Sequence, residues 1–504
     1  MKRGSEIEGF LEVNDKNLRL FLTNNTIINA PNFQELFLKI YKEIWAKRNV
    51  HFTCYTNQFN LVFNYFARQN QFIFRMRPNY IDFSSKTKPI SFSLFLCHAI
   101  HFRDMKYFYG TDEYKGAAAI EQIKKEPVNH NRRGFTSRIG EALNIDLIKK
   151  DFPPIPLVKT LIYEMPQGPL ILNSLNYYEK AWCYDIHSAY PAILLENKFP
   201  KRLKKVSKIG KGEHLCKIKL TNFKAKFFNN YPLYLNKTCQ LKNNPNLKII
   251  GKRIIEGSSY IFYCFYEREI ELLKFFYEIE KIELLEIYKI EFGKLPQPTI
   301  EAIKALYFDK SNKKDTPEYN AAKQKLNRMY GFFATLIKEN GIYTLRNKNV
   351  PWLVAAFIVS RERELMFKAI KACGIEHLIS GHTDGLKFDY DCGEIFNRLN
   401  KERGELYLDC GQWDFEGTLD CVQYLSNTRA KYYENGVLKM KHGGISDEDI
   451  NKFLENKEWK DIKYNSIINF TYREELKFDK EIIRLIKIQT PVELSKAGLG
   501  GDFK

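Results

Sequence analysis

The sequence predicts a multidomain α+β chain, and three observations carry that expectation. At 504 residues the chain is too long for one core and should divide into roughly three domains. Over residues 1–175 short aromatic strands alternate with amphipathic helices. Beyond them come, in order, a strand that turns sharply into a helix, a pair of helices, and a tight β-hairpin.

The elements can be taken along the chain. Asn32 to Arg48 reads as an amphipathic helix and His51-Phe52-Thr53-Cys54-Tyr55 as a strand, which makes residues 1–175 an α/β domain. Pro153, Pro154, Pro156, Pro166 and Pro169 mark a linker-like exit. The segment Trp182-Cys183-Tyr184-Asp185-Ile186-His187-Ser188-Ala189-Tyr190-Pro191 places a carboxylate at a strand end, with Pro191 starting the helix. Residues 201–295 read as an insertion whose first eleven residues hold six cations, Lys201, Arg202, Lys204, Lys205, Lys208 and Lys211. Such a run is either a solvated face or a track for phosphates. Residues 297–311 and 317–335 read as two helices forming a hairpin, with Thr316 as N-cap and Pro317 at the first helical position. After an Asn340-Gly341 turn, a helix from Pro351 to Ala372 leads into the hairpin around Thr383-Asp384-Gly385. The last 80 residues are lysine-rich and end in Gly498-Leu499-Gly500-Gly501.

Composition bounds the function class. Lys and Arg number 79 against 60 Asp and Glu, a net charge of +19 that favours a polyanionic partner. Ten cysteines stand without a CxxC pair, so neither a zinc ribbon nor a disulfide scaffold is indicated. His98 and His101 have metal-ligand spacing but no matching cluster. No apolar run reaches the roughly 18 residues of a membrane span, and MKRGSEIEGF lacks the apolar core of a signal peptide. The expected location is cytoplasmic, with no membrane association.

Three segments, taken in order, resemble motifs A, B and C of family B DNA polymerases, most closely the protein-primed polymerases of bacteriophages and linear plasmids. The first matches DxxSLYP at Asp185, Ser188, Tyr190 and Pro191, with Ala189 in place of Leu. The second, NAAKQKLNRMYGFFAT, matches Kx3NSxYG at Lys323, Asn327, Tyr330 and Gly331, with Arg328 in place of Ser. On a helix these four fall at i, i+4, i+7 and i+8 and share a face. The third matches YxDTDS at Thr383 and Asp384, but His382 replaces the first Asp and Gly385 the Ser. A fourth match, Lys431 and Tyr433, is similar to the KxY element that contacts the primer end.

The resemblance implies a right-hand fold: a palm over 176–425 carrying the insertion at 201–295 and fingers at 296–335, a thumb over 426–504, and an exonuclease-like, ribonuclease H-like α/β domain over 1–175. Phosphoryl transfer to a primer 3′-hydroxyl needs two divalent ions held by hard oxygens, so Asp185 and Asp384 are the catalytic and metal candidates, for Mg²⁺ or Mn²⁺. The turn after Asp185 exposes backbone N–H groups that suit triphosphate oxygens. Ser188, Ala189, Tyr190, Lys310, Lys323, Asn327 and Tyr330 are the nucleotide candidates, with Tyr190 under the sugar, excluding a 2′-hydroxyl. Gly331, Thr383, Lys431 and Tyr433 are the DNA candidates. The implied partners are a DNA primer-template, deoxynucleoside triphosphates and a priming terminal protein, with the chain a monomer in a phage- or plasmid-bearing bacterial host. Two other roles fit the same resemblance: a specialised low-fidelity repair or defence polymerase, and an inactive polymerase-derived nucleic-acid-binding module.

Three departures shape the expectations. A histidine at 382 could hydrogen-bond the site or, when protonated, repel metal. Where the exonuclease motifs would need carboxylates the chain offers Asn60, and Glu6, Glu8 and Asp146 match poorly, so proofreading is expected to be lost. The YxGG element is not recognisable at Asn176 to Ala181, and Leu336 to Pro351 leaves little room for the β-hairpin insertion that confers processivity.

Overall fold

The structure is a computed structural model. Before residue 139 it describes residues 7–13, 18–22, 25–31, 35–36, 39, 49–54, 73–78, 89–95, 99–104 and 116–125. From residue 139 to 493 it describes all but 141, 166–167, 175, 197, 228–229, 234–245, 251–252, 315, 340–341, 347–349, 405, 427–428, 442–446, 464–465 and 480–481. Glu6, Asn60, His98, the Asn340-Gly341 turn, the glycine-rich end and most of 32–48 lie outside the described residues, as do the side chains of Glu8 and His101. The chain forms two compact units, one of residues 1–142 with 305–328, the other of 143–304 with 329–504.

The first unit holds a seven-stranded sheet. Its strands are β1 (Ile7–Val13), β2 (Leu18–Leu22), β3 (Ile27–Ala30), β4 (Asn49–Cys54), β5 (Ile73–Pro78), β6 (Pro89–Phe95) and β7 (Ala99–Asp104), in the order β3-β2-β1-β4-β7-β6-β5. The pairs β1-β4 and β4-β7 are parallel and the others antiparallel. Helix α1 (Gly116–Lys125) packs on β1 through Ala119, Ile120 and Ile123, all buried at helical spacing.

In the second unit, α2 (Ile145–Asp151), α3 (Val158–Glu164) and β8 (Ile171–Asn173) lead into β9 (Tyr177–Ile186) and α4 (Ala189–Leu195). The helix begins two residues before Pro191, whose missing N–H falls in the first turn, where no intrahelical acceptor waits for it. The stretch 201–295 folds around a five-stranded sheet ordered β10-β14-β11-β13-β12. Its strands are β10 (Phe199–Val206), β11 (His214–Ala225), β12 (Leu247–Ile250), β13 (Arg253–Phe265) and β14 (Tyr277–Gly293), with α5 (Tyr266–Phe276) between the last two. The basic run lies on β10, an edge strand along which Arg202, Lys204 and Lys205 face solvent; charge on an edge blocks pairing with another chain.

Helices α6 (Gln297–Asn312) and α7 (Pro317–Ala334) are joined by residues 313–316. Thr316 caps α7 as its sequence suggests: its Oγ1 accepts the Tyr319 N–H at 3.2 Å. A short hairpin, β15 (Leu336–Glu339) and β16 (Ile342–Leu345), occupies the space between motifs B and C. Helix α8 (Trp352–Cys373) follows and is buried nearly all round, as its run Trp352 to Val359 requires.

The remaining elements complete the sheet that matters most. It runs β21-β20-β19-β9-β18-β17-β8, from β17 (Leu378–His382), β18 (Gly385–Phe388), β19 (Trp413–Ser426), β20 (Arg429–Glu434) and β21 (Val437–Lys441), with α9 (Gly393–Arg403) between β18 and β19. This sheet extends to Lys441, past residue 425. Helix α10 (Asp447–Leu454) packs on the first strand of a long hairpin, β22 (Ile467–Asp479) and β23 (Ile482–Glu493).

Candidate catalytic site

Strand β9 lies between β18 and β19, so its last residues have a neighbour on each side. Asp185 stands opposite Gly385 on β18 and opposite Asp414 on β19. The Ile186 N–H donates to the Asp384 carbonyl at 3.0 Å, which ties the motif C turn to the end of β9. The two candidate carboxylates therefore come from adjacent strands at one edge of one sheet. A Cβ on Gly385 would meet Asp185 Oδ1 at 3.1 Å, so glycine leaves that carboxylate room that a larger residue would narrow.

Two non-glycine residues beside the carboxylates adopt left-handed backbone: Ser188 at φ 53° and Thr383 at φ 61°. For a β-branched threonine this conformation is costly, and such strain persists only where the surroundings enforce it. Thr383 is the first residue of the two-residue turn between His382 and Gly385, and its N–H donates to the Leu170 carbonyl at 3.0 Å. Ser188 gives α4 no side-chain cap.

The electrostatics are those of crowded like charges. Burial first, then the charge of Asp384 and then that of Glu416, raise the Asp185 pKa to about 7. Lys387 opposes this rise from β18. Its own charge is kept against burial by Tyr424, Cys183 and Glu416. Lys441, its pKa lowered by burial and by Lys387, lies close enough to feel Asp185. His382 is lowered to about 4, by burial and then by Lys441 and Arg253. The imidazole is therefore neutral at physiological pH, so it places no positive charge beside Asp384.

Around this edge the structure gathers Ser188, Ala189, Tyr190, Thr383 and Tyr330. The rings of Tyr190 and Tyr330 pack at 4.8 Å between centroids, inclined by 39°. A Cβ on Gly331 would meet only Thr335 Oγ1, at 3.8 Å, so no close protein contact among the described residues dictates glycine there. Lys310, Lys323 and Asn327 belong to the other compact unit. In it Lys323 and Asn327 are exposed, with Lys323 Nζ 5.6 Å from the Tyr319 ring centre, and Lys310 Nζ lies 5.7 Å from that of Tyr307.

Lys431 is placed differently from a free phosphate contact. It is buried, and its ammonium donates to the carbonyls of Trp459 and Ile462 at 2.9 and 2.8 Å while lying 4.3 Å from the Trp459 ring centre. Its charge is spent holding the short 3₁₀ turn Trp459–Asp461. Tyr433 stacks on Trp459 at 5.6 Å and Tyr177 meets the same ring edge-on at 5.9 Å. Sequence reasoning missed Trp459, Glu416, Lys387 and Lys441. An aromatic in the polar run Glu458-Trp459-Lys460 was the one available signal.

Among the described residues no group of three or more His, Cys, Asp or Glu has metal-binding geometry, and no helix is long and apolar enough to cross a membrane.

No protein-family model matches the chain, and neither does any curated protein. Solved structures do. Phi29 DNA polymerase complexed with primer-template DNA and incoming nucleotide substrates matches with a TM-score of 0.67 at 14% identity, over 98% of this chain and 100% of that one. Its orthorhombic crystal form matches with a TM-score of 0.64 at 14% identity, over 97% of this chain and 99% of that one. Its complex with single-stranded DNA gives 0.64 at 13% identity, over 97% and 100%.

The fold is that of a DNA polymerase. More particularly, it is the fold of phi29 DNA polymerase over nearly the whole length of both chains, and the resemblance to protein-primed family B polymerases read from the motifs is met at the level of fold.

Proposed function

We propose that the chain is a template-directed DNA polymerase that adds deoxynucleotides to a primer 3′-hydroxyl. The observation that carries this reading is the convergence of Asp185 and Asp384 at one sheet edge within the phi29 polymerase fold. The first phi29 structure named above holds primer-template DNA and incoming nucleotides, which supports the same partners here.

In the reaction the primer 3′-oxygen bonds to the α-phosphorus, pyrophosphate leaves, and the hydroxyl proton is given up. Divalent ions, Mg²⁺ or Mn²⁺, would activate the attacking oxygen and neutralise the triphosphate. Asp185 and Asp384 fit that role: they are hard oxygen donors whose mutual repulsion a cation relieves. Substrate phosphates and water would supply further oxygens to such ions, as is usual for Mg²⁺. The lowered His382 pKa supports that role, because the imidazole adds no positive charge beside Asp384 at neutral pH. The left-handed Ser188 turns the chain so that the backbone at the start of α4 can receive phosphate oxygens, and Tyr190 lies under the sugar. Lys323 and Asn327 are assigned to the triphosphate from motif spacing alone, and Lys310 from its place on the preceding helix. Tyr433 contacts the primer strand, with Lys431 acting through the Trp459 turn it pins.

In this reading residues 176–425 are the palm, with the insertion at 201–295 and fingers at 296–335, followed by a thumb; 1–175 is an exonuclease-like domain without proofreading. Asp146 supports the last point: its side chain is 97% exposed, on the first turn of α2, with Lys149 at 3.9 Å. The short β15-β16 hairpin supports modest processivity, and the motif resemblance suggests protein-primed replication.

The test is extension of a 5′-labelled primer on a DNA template with Mg²⁺ or Mn²⁺, wild type beside Asp384→Ala. Lengthening by the wild type alone is expected, without shortened products. No lengthening with either metal, even when a priming protein is supplied, would leave a binding module.

A further inference from the structure

One ionisable group inside the second unit has no task in this chemistry. Glu362 sits in the middle of α8 at 0% exposure, and neither carboxyl oxygen meets a hydrogen-bond donor among the described residues. Its neighbour Arg363 is committed elsewhere: Nε and Nη2 each bind Glu269 at 3.0 Å, and Nη1 reaches the carbonyls of Gly168 and Pro232 at 3.3 Å. A bare buried carboxyl is destabilising, and an apolar side chain of similar size would remove the cost. Its presence asks for a reason.

Helix geometry gives the direction in which Glu362 faces. Met366, one turn on and on the same face, approaches β17, where a Cβ on Gly381 would lie 3.8 Å from Met366 Cε. Helix α8 also packs on α4, which carries Tyr190. Glu362 thus lies on the helix that passes both the motif C hairpin and the helix that carries Tyr190. The electrostatics agree. Burial first and Glu362 second raise the phenol of Tyr190, and the same two causes push Tyr330 up to about 12. Burial, against the pull of Arg363 and aided by Asp384, raises Glu362 itself well above the carboxylate range.

We propose that Glu362 is a positioning residue for sugar selection: its buried carboxyl is the acceptor that locks the Tyr190 phenol, packed on Tyr330, in the orientation that excludes a ribose 2′-hydroxyl. The inference rests on the polymerase reading, in which Tyr190 lies under the incoming sugar. Ring packing alone leaves Tyr190 free to pivot, whereas a fixed acceptor opposite its hydroxyl removes that freedom. The two groups are not hydrogen-bonded in the structure, so a rotation of the Tyr190 ring onto Glu362 as nucleotide enters is part of the proposal. The phenol O–H donates and a carboxyl oxygen accepts.

The experiment is single-nucleotide insertion on a primer-template with Mg²⁺, comparing kcat/KM for a deoxynucleotide and the matching ribonucleotide. The variants are Glu362→Leu, Glu362→Gln, Tyr190→Phe and the Glu362→Leu/Tyr190→Phe pair. Glu362→Leu and Tyr190→Phe are each expected to lower the deoxy-to-ribo ratio by about fivefold to tenfold, the worth of one hydrogen bond. The double variant should lose no more than either alone. Glu362→Gln, which keeps an acceptor, should hold most of the ratio, and Glu362→Leu should melt at a higher temperature than the wild type. A wild-type ratio in Glu362→Leu, or additive losses in the double variant, would overturn the proposal. Failure of the wild type to extend any primer would instead overturn the polymerase reading, and the proposal with it.

Discussion

Two regions that share helix α8 treat charge in opposite ways. Around Arg361 and Glu364 every charge has a partner: Arg361 binds Glu196 at 3.0 Å and Glu364 at 2.8 Å, Arg268 binds Glu364 at 2.8 Å and Glu213 at 2.9 Å, and Arg403 binds Glu196 at 3.2 Å. Although burial works against it, Arg361, Lys368 and Arg268 hold Glu364 down to about 2. At the edge formed by β9 and β18 the protein does the reverse. It crowds Asp185, Asp384 and Glu416, places two left-handed residues beside them, and lifts Asp185 to about 7. A folded chain keeps such an arrangement at a cost in stability, and like charges gathered in strained backbone mark a site rather than a scaffold.

The contrast can be broken from either side. The largest effect expected is on activity: Asp384→Ala should reduce primer extension to background while leaving the melting temperature at or above that of the wild type. On the scaffold side, Arg363→Met leaves the largely covered Glu269 without its cation and should cost about 3 kcal/mol in denaturant unfolding. The matching change in the more exposed network, Arg361→Ala, should cost about 1 kcal/mol and weaken with salt.

The pH dependence sharpens the comparison because the two regions carry opposite signs. Asp185 has a folded pKa near 7 against the usual 3.8, so between these values the folded chain holds a proton that the unfolded chain has released. Stability therefore falls as pH rises through that window, and the loss is complete above about 7. Asp185→Asn should raise the melting temperature by about 2 °C at pH 8 in chelator and leave it unmoved at pH 3. Glu364, with a lowered pKa, contributes stability above its unfolded value that is lost as pH falls toward about 2, so Glu364→Gln should destabilise at pH 8.

The sequence carried much of this, for identifiable reasons. The gathering of Asp185, Tyr190, Tyr330 and Asp384 at one edge was anticipated because each lies in a short local pattern, a strand that turns into a helix, one face of a helix, or a two-residue hairpin turn, whereas Lys323 lies in the other compact unit. Thr316 and the ends of α7 and α8 were legible from capping chemistry and hydrophobic run length. Glu416 was not, because it reaches Asp185 from β19, and strand pairing across more than 200 residues leaves no local trace. Lys431 was read from three residues as a contact for DNA, whereas its partners, the carbonyls of Trp459 and Ile462, lie about 30 residues on. The lowering of His382 by burial, and then by Lys441 and Arg253, one from each flank of the chain, leaves no local trace in the sequence.

The central claim is that the like-charge edge is a divalent-cation site, and the most direct measurement is a thermal-shift titration with Mn²⁺ at pH 7.5. The wild type should gain stability in proportion to the logarithm of the ion concentration once binding begins, and Asp185→Asn/Asp384→Asn should gain none. An equal shift in both proteins would contradict the account.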